Sequence, residues 1–144
     1  MTPLSASTDD LDAVVELLKS CGLPHQDLSP GHMREFLVIP AEGELAACAG
    51  LEMFGSSALL RSLAVRQPLR LQGVGRQLCG MLEGRARENG VHSLYLLTTD
   101  AEKFFARRGY ERCAREEVPE AVRESAEFKT LCPVSSACMR KKFR

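Results

Sequence analysis

The chain of 144 residues lacks several features that mark particular classes of protein. No stretch approaches the roughly 18 consecutive apolar residues of a membrane-spanning helix, so no membrane span is expected. The first ten residues have neither a basic start nor an apolar run, so no secretory signal is expected either. The 19 basic and 19 acidic side chains cancel, which disfavours a basic nucleic-acid-binding protein. We therefore expect neither membrane nor nucleic acid among its partners.

None of the six cysteines forms a C-x-x-C pair. Cys48 and Cys79 lie in apolar segments, where a free thiol packs like a small hydrophobic group. Without a secretory signal, this usage predicts reduced thiols and a cytoplasmic protein. Cys132 and Cys138 lie near each other across a turn and are able to bind a soft ion, but their spacing is not a standard zinc pattern. No metal site is predicted, and a role for this pair stays open.

The composition suits a single packed domain over residues 1–144, with 44% hydrophobic and 26% charged residues. The net charge of zero hides an asymmetry between the two parts of the chain. Residues 1–59 carry nine acids and two bases, whereas residues 60–144 carry ten acids and seventeen bases. An anionic ligand held by the second part would explain this separation, and so would attraction between the two parts in the fold.

The spacing of apolar residues predicts a mixed α+β domain. One amphipathic helix is expected around Leu11–Leu18, and a second where Val74, Leu78, Met81 and Leu82 share a face. Short apolar runs separated by turn residues predict an antiparallel meander between the two helices. The expected strands cover residues 36–39, 45–54, 59–65 and 93–97, with a last strand from 137 and a short helix over 100–108.

The most informative segment runs from Ser62 to Arg76, where an apolar strand enters a loop and the loop opens a helix. Gly73 and Gly75 have no side chains, so backbone N–H groups there can approach a ligand closely. At a helix N-terminus these N–H groups lack intrahelical partners and lie at the positive end of the helix dipole, which suits a phosphate or diphosphate. The alternative is that the two glycines only let the helix pack against the sheet.

Positive charge surrounds this segment, because Arg66, Arg70 and Arg76 lie in or beside it and no acid occurs between residues 53 and 82. The pattern is not a dinucleotide-binding fingerprint, since Leu78 stands at the third glycine of G-x-G-x-x-G. It is not a P-loop, because no Gly-Lys-Ser/Thr follows.

Three motifs in the same order resemble the GNAT N-acetyltransferase superfamily. R-L-Q-G-V-G at 70–75 is similar to its R/Q-x-x-G-x-G/A signature, L-A-V at 63–65 to its fourth strand, and A-E-K-F-F-A-R-R-G-Y at 101–110 to its A-x-x-F-Y-x-x-x-G-F element. The ending L-C-P-x-S-x-x-C-M at 131–139 further resembles N-acetyltransferases associated with arsenic-resistance operons. The resemblance covers nearly the whole chain. It implies a GNAT-like α+β fold in which helices flank a mixed, mostly antiparallel sheet.

The resemblance also implies acetyl-CoA as the acetyl donor and an amine as the acceptor. The backbone of Leu63, Ala64 and Val65 would hydrogen-bond the pantetheine arm as if it were an added strand. Phe104 and Phe105 would lie beside the thiol end. The diphosphate would lie on the segment made of Arg70, Leu71, Gln72, Gly73, Val74, Gly75 and Arg76.

The family's reaction is direct attack of a neutral amine on the thioester. A free alkylamine is mostly protonated at neutral pH, so a base is useful. Glu52, an acid on a mostly apolar strand, is the first candidate base, although a solvent-facing glutamate gives the same pattern. The backbone N–H of Leu63 is the candidate donor to the carbonyl oxygen as it becomes negative. Phe105 stands where the family often has a tyrosine, so another group or water must protonate the leaving thiolate.

Arg61 interrupts an apolar run, so its charge must reach solvent or an anion. In the implied fold it lies near the acceptor, where a guanidinium binds a carboxylate through paired hydrogen bonds. We expect a small-molecule amine with an acidic group, an amino acid or an analogue such as an amine-bearing arsenical, with Arg123 as a second contact. The alternatives are protein or peptide N-acetylation and a non-catalytic acyl-CoA sensor. A monomer and a homodimer are both compatible with the sequence.

Overall fold

A computed structural model describes residues 2–70 and 72–143 of the chain. The strands are β1 (Leu4–Ser5), β2 (Phe36–Ala41), β3 (Glu44–Phe54), β4 (Ser57–Val65), β5 (Ser93–Thr98), β6 (Glu111–Arg112) and β7 (Ala137–Lys142). The helices are α1 (Leu11–Ser20), α2 (Val74–Glu88), α3 (Glu102–Arg107) and α4 (Glu120–Arg123), and a π-helical turn covers Glu127–Leu131. Short 3-10 turns cover Thr8–Asp10, Pro30–Glu35, Gln67–Leu69 and Arg115–Glu117. No helix in the described ranges is long and apolar enough to cross a membrane.

The strands form one seven-stranded sheet in the order β1-β2-β3-β4-β5-β7-β6. Neighbours are antiparallel except β4 and β5, which run parallel because α2 connects them. The expected α+β fold with a mixed, mostly antiparallel sheet is therefore confirmed, and so is the meander of β2, β3 and β4. Strands β1 and β6 are two residues long, too short to give a periodic signal in the sequence.

The parallel strands β4 and β5 separate after three paired residues. Residues 57–59 of β4 pair with residues 93–95 of β5, and from Leu60 to Val65 the same edge of β4 has no described strand partner. A bulge in β4 opposite Cys48 and Gly50 bends the strand where it separates. Ser62 lies in the bulge with a φ of 60°, in the left-handed region. A cleft therefore opens between the two strands in the middle of the sheet.

Apolar helix faces cover both sides of the sheet. The buried face of α2 packs on the cluster that includes Leu37 and Ile39, whereas α1 packs on the cluster that includes Phe36 and Val38. Because neighbouring residues of a strand point to opposite faces, the two helices lie on opposite sides of β2. A third cluster contains Leu59, Tyr95, Val118, Val122, Phe128 and Cys138.

The buried face of α2 differs in one position from the predicted face. Val74, Leu78 and Leu82 are buried as expected, but Met81 is 43% exposed. Cys79 and Ala86 are buried instead, so the apolar face of α2 extends on the side of Leu82 that lies away from Met81.

Candidate functional site

The loop before α2 ends in backbone N–H groups that have no partner within the helix. Gly73 is the N-cap residue, with a φ of 81° that favours glycine. The N–H of Gln77 donates to the carbonyl of Gly73 at 3.0 Å. The N–H groups of Val74, Gly75 and Arg76 precede that bond and point out of the helix end. This geometry suits an anion at the start of α2.

Gly75 lies against the aromatic ring of Phe104. A β-carbon at position 75 would lie 3.2 Å from Phe104 Cζ and 3.9 Å from Leu63 Cδ2. The first of these distances is tighter than ordinary van der Waals contact, so the glycine lets α2 approach both neighbours. Gly75 therefore allows α2 to pack closely on its neighbours, and this role does not prevent its N–H group from binding a ligand.

Arg70 lies over the end of β4. Its Nε donates to the carbonyl of Val65 at 2.8 Å, and its Nη1 donates to Gln67 Oε1 at 2.7 Å. Its Nη2 lies 3.8 Å from Cys21 Sγ. The guanidinium thus places positive charge between the open edge of β4 and the loop before α2.

The other predicted members of this loop differ in direction. Gln72 donates a side-chain hydrogen bond to the loop backbone at 2.9 Å, and Arg76 is exposed on the first turn of α2. Arg66 turns toward β3, where its Nε donates to the carbonyl of Leu45 at 2.6 Å. Leu71 lies outside the described residues.

A groove of about 460 Å³ follows the open edge of β4 as far as this loop. Its lining residues include Leu63, Ala64, Val65, Arg70, Gly75 and Phe104. The strand edge offers backbone groups to an extended ligand, and the loop offers N–H groups to an anion. The groove therefore suits an extended ligand that carries an anionic group. Phe105 is buried and borders the neighbouring cavity instead.

A second cavity of about 570 Å³ meets the groove at Leu63 and Ala101, which line both. Its wall comes from the segment after α1, from β4, from the end of β5 and from the segment around the π-helical turn. Titratable or charged residues on this wall are Lys19, His25, Arg61, Asp100, Glu127 and Cys132. A small polar molecule in this cavity would meet the inner end of a ligand in the groove.

Arg61 borders this cavity, yet its side chain is fully shielded from solvent. Nη1 and Nη2 donate to the two carboxylate oxygens of Asp27 at 2.6 and 2.8 Å, and Nη1 also donates to Glu52 at 2.7 Å. Nη2 lies 3.4 Å from Glu127 Oε2, and Nε donates to Ser62 Oγ at 2.9 Å. Each nitrogen of the guanidinium therefore has a partner within the chain.

This arrangement bears on the roles predicted for Arg61 and Glu52. The charge of Arg61 does reach anions, as its position required, but the anions belong to the chain. To bind a carboxylate of the acceptor, Arg61 would first have to release one of its own. Glu52 is paired with Arg61 and is not among the residues that line the cavity.

Arg123 is not brought to the groove or to the cavity. It lies at the end of α4, a helix of four residues that buries Val122 in the third apolar cluster. The helix thereby leaves Arg123 exposed. This placement gives no support to Arg123 as an acceptor contact.

The site contains a residue that the sequence gives no signal for. Glu127 is 3% exposed and lies in the cavity wall at the start of the π-helical turn. Burial raises its pKa to about 7, although the charge of Arg61 acts in the opposite direction. Residues 114–135 show no periodicity, so only the fold brings this carboxylate to Arg61.

The two cysteines considered for a soft ion have different surroundings. Cys132 lines the cavity, where burial raises the pKa of its thiol to about 12. Cys138 lies on β7 beside Cys113, with the sulfur atoms 3.4 Å apart. Cys48 and Cys79 are buried in apolar clusters, which confirms their packing role.

Asp27, His32 and Glu52 bring one potential metal ligand each within 4.8 Å of one another. Two of these three already bind the guanidinium of Arg61, whose positive charge would repel a metal ion. We therefore assign the two carboxylates of this cluster to holding Arg61.

Both tyrosines of the chain are buried away from the cavity. Tyr110 donates a hydrogen bond to Glu83 at 2.9 Å and packs on Phe105 with ring centres 5.6 Å apart. Tyr95 belongs to the third apolar cluster. Both tyrosines therefore pack in apolar clusters, and neither offers a hydroxyl group to the cavity.

Comparisons with known proteins agree with this geometry. Residues 9–114 match the model of the acetyltransferase (GNAT) family. An uncharacterized N-acetyltransferase of Chlorobaculum tepidum is 32% identical over 108 residues, which cover 74% of this chain and 67% of that protein. The amino-acid acetyltransferase of Ectopseudomonas mendocina is 32% identical over 126 residues, which cover 81% of this chain and 29% of that protein. The chain thus spans less than a third of the length of that amino-acid acetyltransferase.

Solved structures show the same fold. N-acetylglutamate synthase from Neisseria gonorrhoeae, complexed with coenzyme A and N-acetyl-glutamate, superposes with a TM-score of 0.83 at 24% identity over 99% of this chain and 35% of that one. A Mycobacterium tuberculosis protein in complex with CoA superposes with a TM-score of 0.81 at 20% identity over the full length of both chains. Both of these structures contain bound coenzyme A.

Proposed function

Since the chain belongs to the acetyltransferase (GNAT) family, we propose that it acetylates the amine of a free amino acid or an amino-acid analogue. It is an N-acetyltransferase, and its acetyl donor is acetyl-CoA. The observation that carries the proposed acceptor is the cavity of about 570 Å³ that joins the groove at Leu63 and Ala101. Its size suits a small molecule, and its wall carries groups of both charges, as a zwitterion requires.

The residues of the groove fit acetyl-CoA, which supplies a thioester carbonyl for attack by the amine. We assign the diphosphate to the N–H groups of Val74, Gly75 and Arg76, with Arg70 adding charge nearby. The backbone of residues 63–65 holds the pantetheine arm along the open edge of β4.

At the junction of groove and cavity, we assign the N–H of Leu63 to the carbonyl oxygen that becomes negative during the reaction. Phe104 and Phe105 pack edge to face beside this junction, with ring centres 5.1 Å apart. Their rings make the surroundings apolar, which strengthens a hydrogen bond to a developing charge.

Relatives named amino-acid acetyltransferases support the choice of acceptor. They include proteins from Neisseria meningitidis at 30% identity and Pseudomonas fluorescens at 36% identity. Because the chain spans only about a fifth of their length, they support the acceptor class and do not identify the amino acid. An amine-bearing arsenical stays in this class because the ending of the chain resembles arsenic-operon enzymes.

Two cations are candidates for the acidic end of the acceptor. Arg61, predicted for this role, would have to exchange Glu127, its most distant carboxylate partner at 3.4 Å. Lys19 lines the cavity and takes part in no ion pair within the described ranges, so it can bind a carboxylate without such an exchange. Glu52, predicted as the base, would have to act through water, because it does not line the cavity.

A thiol-release assay with acetyl-CoA tests the proposed function. The panel contains free amino acids, their carboxamides, simple amines, amine-bearing arsenicals and peptides with free N-termini. We expect release with a free amino acid or analogue, and a kcat/KM at least about tenfold lower for the matching carboxamide.

Release with peptides alone would instead identify a protein N-acetyltransferase. Binding of acetyl-CoA with no release for any amine would identify an acyl-CoA sensor. Three further points stay predictions: the cytoplasmic location, the association with arsenic resistance and the oligomeric state. Light scattering distinguishes a monomer from a homodimer.

A further inference from the structure

Glu127 is a buried carboxylate that borders the acceptor cavity without a hydrogen-bond donor of its own. Its side chain is 4% exposed, and within residues 2–70 and 72–143 it accepts no side-chain or backbone hydrogen bond. The nearest cation is Arg61, whose Nη2 lies 3.4 Å from Glu127 Oε2. A buried carboxylate with so few partners is costly for the fold, so its position calls for a role.

The positive charge of Arg61 is shared among three carboxylates. Asp27 accepts two hydrogen bonds from it and Glu52 accepts one, whereas the contact with Glu127 is longer. Burial raises the pKa of Asp27, but the hydrogen bonds and charge of Arg61 outweigh burial and lower the pKa overall. Asp27 therefore stays ionised, and the cation is already compensated when Glu127 meets it.

The same charges act differently on Glu127. Burial raises its pKa to about 7, the charge of Arg61 opposes this effect, and the nearby charges of Asp27 and Glu52 add to it. A carboxyl group with a pKa near neutrality both accepts and releases protons at working pH, which is what general base catalysis requires.

We propose that Glu127 takes the proton from the ammonium group of the acceptor, and that Arg61, held by Asp27 and Glu52, is the positioning residue that orients it. The inference rests on the proposed function for its amine acceptor. The N–H bond of the ammonium breaks and the proton passes to the carboxylate of Glu127. The neutral nitrogen then bonds to the carbonyl carbon, whose oxygen becomes negative, and the carbon–sulfur bond breaks as the carbonyl group forms again. The second proton of the nitrogen goes to the departing sulfur, and Glu127 returns its proton to water.

The other titratable groups that face the cavity are less suited to this step. Lys19 is a cation, Asp100 is exposed, and burial raises the pKa of the Cys132 thiol to about 12. His25 is the main competitor, because it lines the cavity and its Nδ1 lies 3.1 Å from the carbonyl oxygen of Leu23, which holds the ring in place. Unlike Glu127, His25 has no described charged partner to orient it.

The experiment compares Glu127→Gln with Glu124→Gln, a matched change at an exposed glutamate three positions earlier in the chain. In the wild type and in Glu124→Gln, kcat should rise with pH along an acidic limb that is half complete near about pH 7, and it should level off above that pH. In Glu127→Gln, kcat should fall at least about 100-fold and the acidic limb should disappear. Acetyl-CoA affinity, measured by calorimetry, should not change.

A second readout does not depend on activity. In the free protein with ¹³C-labelled glutamate, one side-chain resonance should titrate near neutral pH, persist in Glu124→Gln and be absent from Glu127→Gln. The charge-conserving Arg61→Lys should move that titration to higher pH, because lysine cannot bind three carboxylates with the same geometry. A purely structural Arg61 would leave the titration in place.

Three outcomes would overturn the proposal. Thiol release by Glu127→Gln with the wild-type pH profile overturns the inference alone. A glutamate resonance near neutrality that survives in Glu127→Gln does the same. No release from the wild type with any amine overturns the proposed function, and the inference falls with it.

Discussion

The guanidinium of Arg61 donates two hydrogen bonds to Asp27, at 2.6 and 2.8 Å, across 34 residues of the chain. This pair joins the segment after α1 to the bulged part of β4. It therefore fixes one wall of the acceptor cavity against the strand that borders the groove. Because the guanidinium is fully shielded, the pair is also part of the stability of the fold.

We expect Asp27→Asn to lower the free energy of unfolding by about 3 kcal/mol, since it removes one charge of a buried ion pair and leaves the cation less compensated. Urea denaturation measures the change. The control is Glu44→Gln, which removes the partner of Arg66 at an exposed site and should have little effect. Equal stability of the Asp27 variant and the wild type would show that the pair does not hold the cavity wall.

Gly75→Ala should weaken acetyl-CoA binding by about tenfold or more. The added methyl group would lie 3.2 Å from Phe104 Cζ, so either the ring or the start of α2 must move. Calorimetric titration with acetyl-CoA measures the affinity. Gly80→Ala is the matched control, because a methyl group at position 80 of the same helix meets nothing within 4 Å. It should keep the affinity and raise stability by about 1 kcal/mol. Equal losses of affinity in both variants would contradict this account.

The stability of the protein should depend on pH through Glu127. Its pKa is raised from 4.5 to about 7, so the folded state holds a proton that the unfolded state releases. The stabilisation is present in full below about pH 4.5 and is lost as the pH rises through about 7, with a total of about 3 kcal/mol. Asp27 acts in the opposite sense, because its pKa is lowered in the folded state. Its contribution to stability is lost only as the pH falls through that lowered pKa, so it does not change between about pH 4.5 and 7.

Urea denaturation of the wild type and Glu127→Gln at several pH values checks this dependence. The difference in unfolding free energy between the two proteins should change steadily between about pH 4.5 and 7 and be constant above. A difference independent of pH over this range would mean that the carboxyl group titrates normally.

Lys19→Met should raise KM for the amino-acid acceptor by about tenfold and leave kcat nearly unchanged, because the lysine would bind the acceptor in ground state and transition state alike. Steady-state kinetics measures both constants. Lys142→Met removes an exposed lysine at the end of β7 and serves as control. Should KM stay constant in Lys19→Met, the acidic end of the acceptor must bind elsewhere, and Arg61 becomes the next candidate.

The parts of the fold that depend on near neighbours in sequence were predictable. Apolar spacing predicts α1, α2 and the meander, and Gly73 and Gly75 predict a helix start with free N–H groups. The motif resemblance adds the sheet and the acetyl donor. Each of these features depends on residues within one or two elements.

The acceptor site depends on residues far apart in the chain, and the sequence predicts it less well. Arg61 needs anions, but nothing in the sequence says that Asp27 and Glu127 supply them, because both lie in segments without periodicity. Arg123 lies in the same non-periodic part of the chain as Glu127, where the sequence gives no sign that α4 turns this side chain to solvent. The fold alone brings Glu127 to the cavity.

We propose above that the N–H groups at the start of α2 bind the diphosphate of acetyl-CoA. Calorimetric titration tests this proposal with acetyl-CoA, with acetyl-dephospho-CoA, which lacks only the 3′-phosphate, and with S-acetylpantetheine, which keeps the thioester arm but lacks both the diphosphate and the adenosine 3′-phosphate. We predict that acetyl-CoA and acetyl-dephospho-CoA both bind at least about 100-fold more tightly than S-acetylpantetheine, since only the first two compounds accept charge-assisted hydrogen bonds through a diphosphate. Equal affinity for acetyl-dephospho-CoA and S-acetylpantetheine would contradict the proposal.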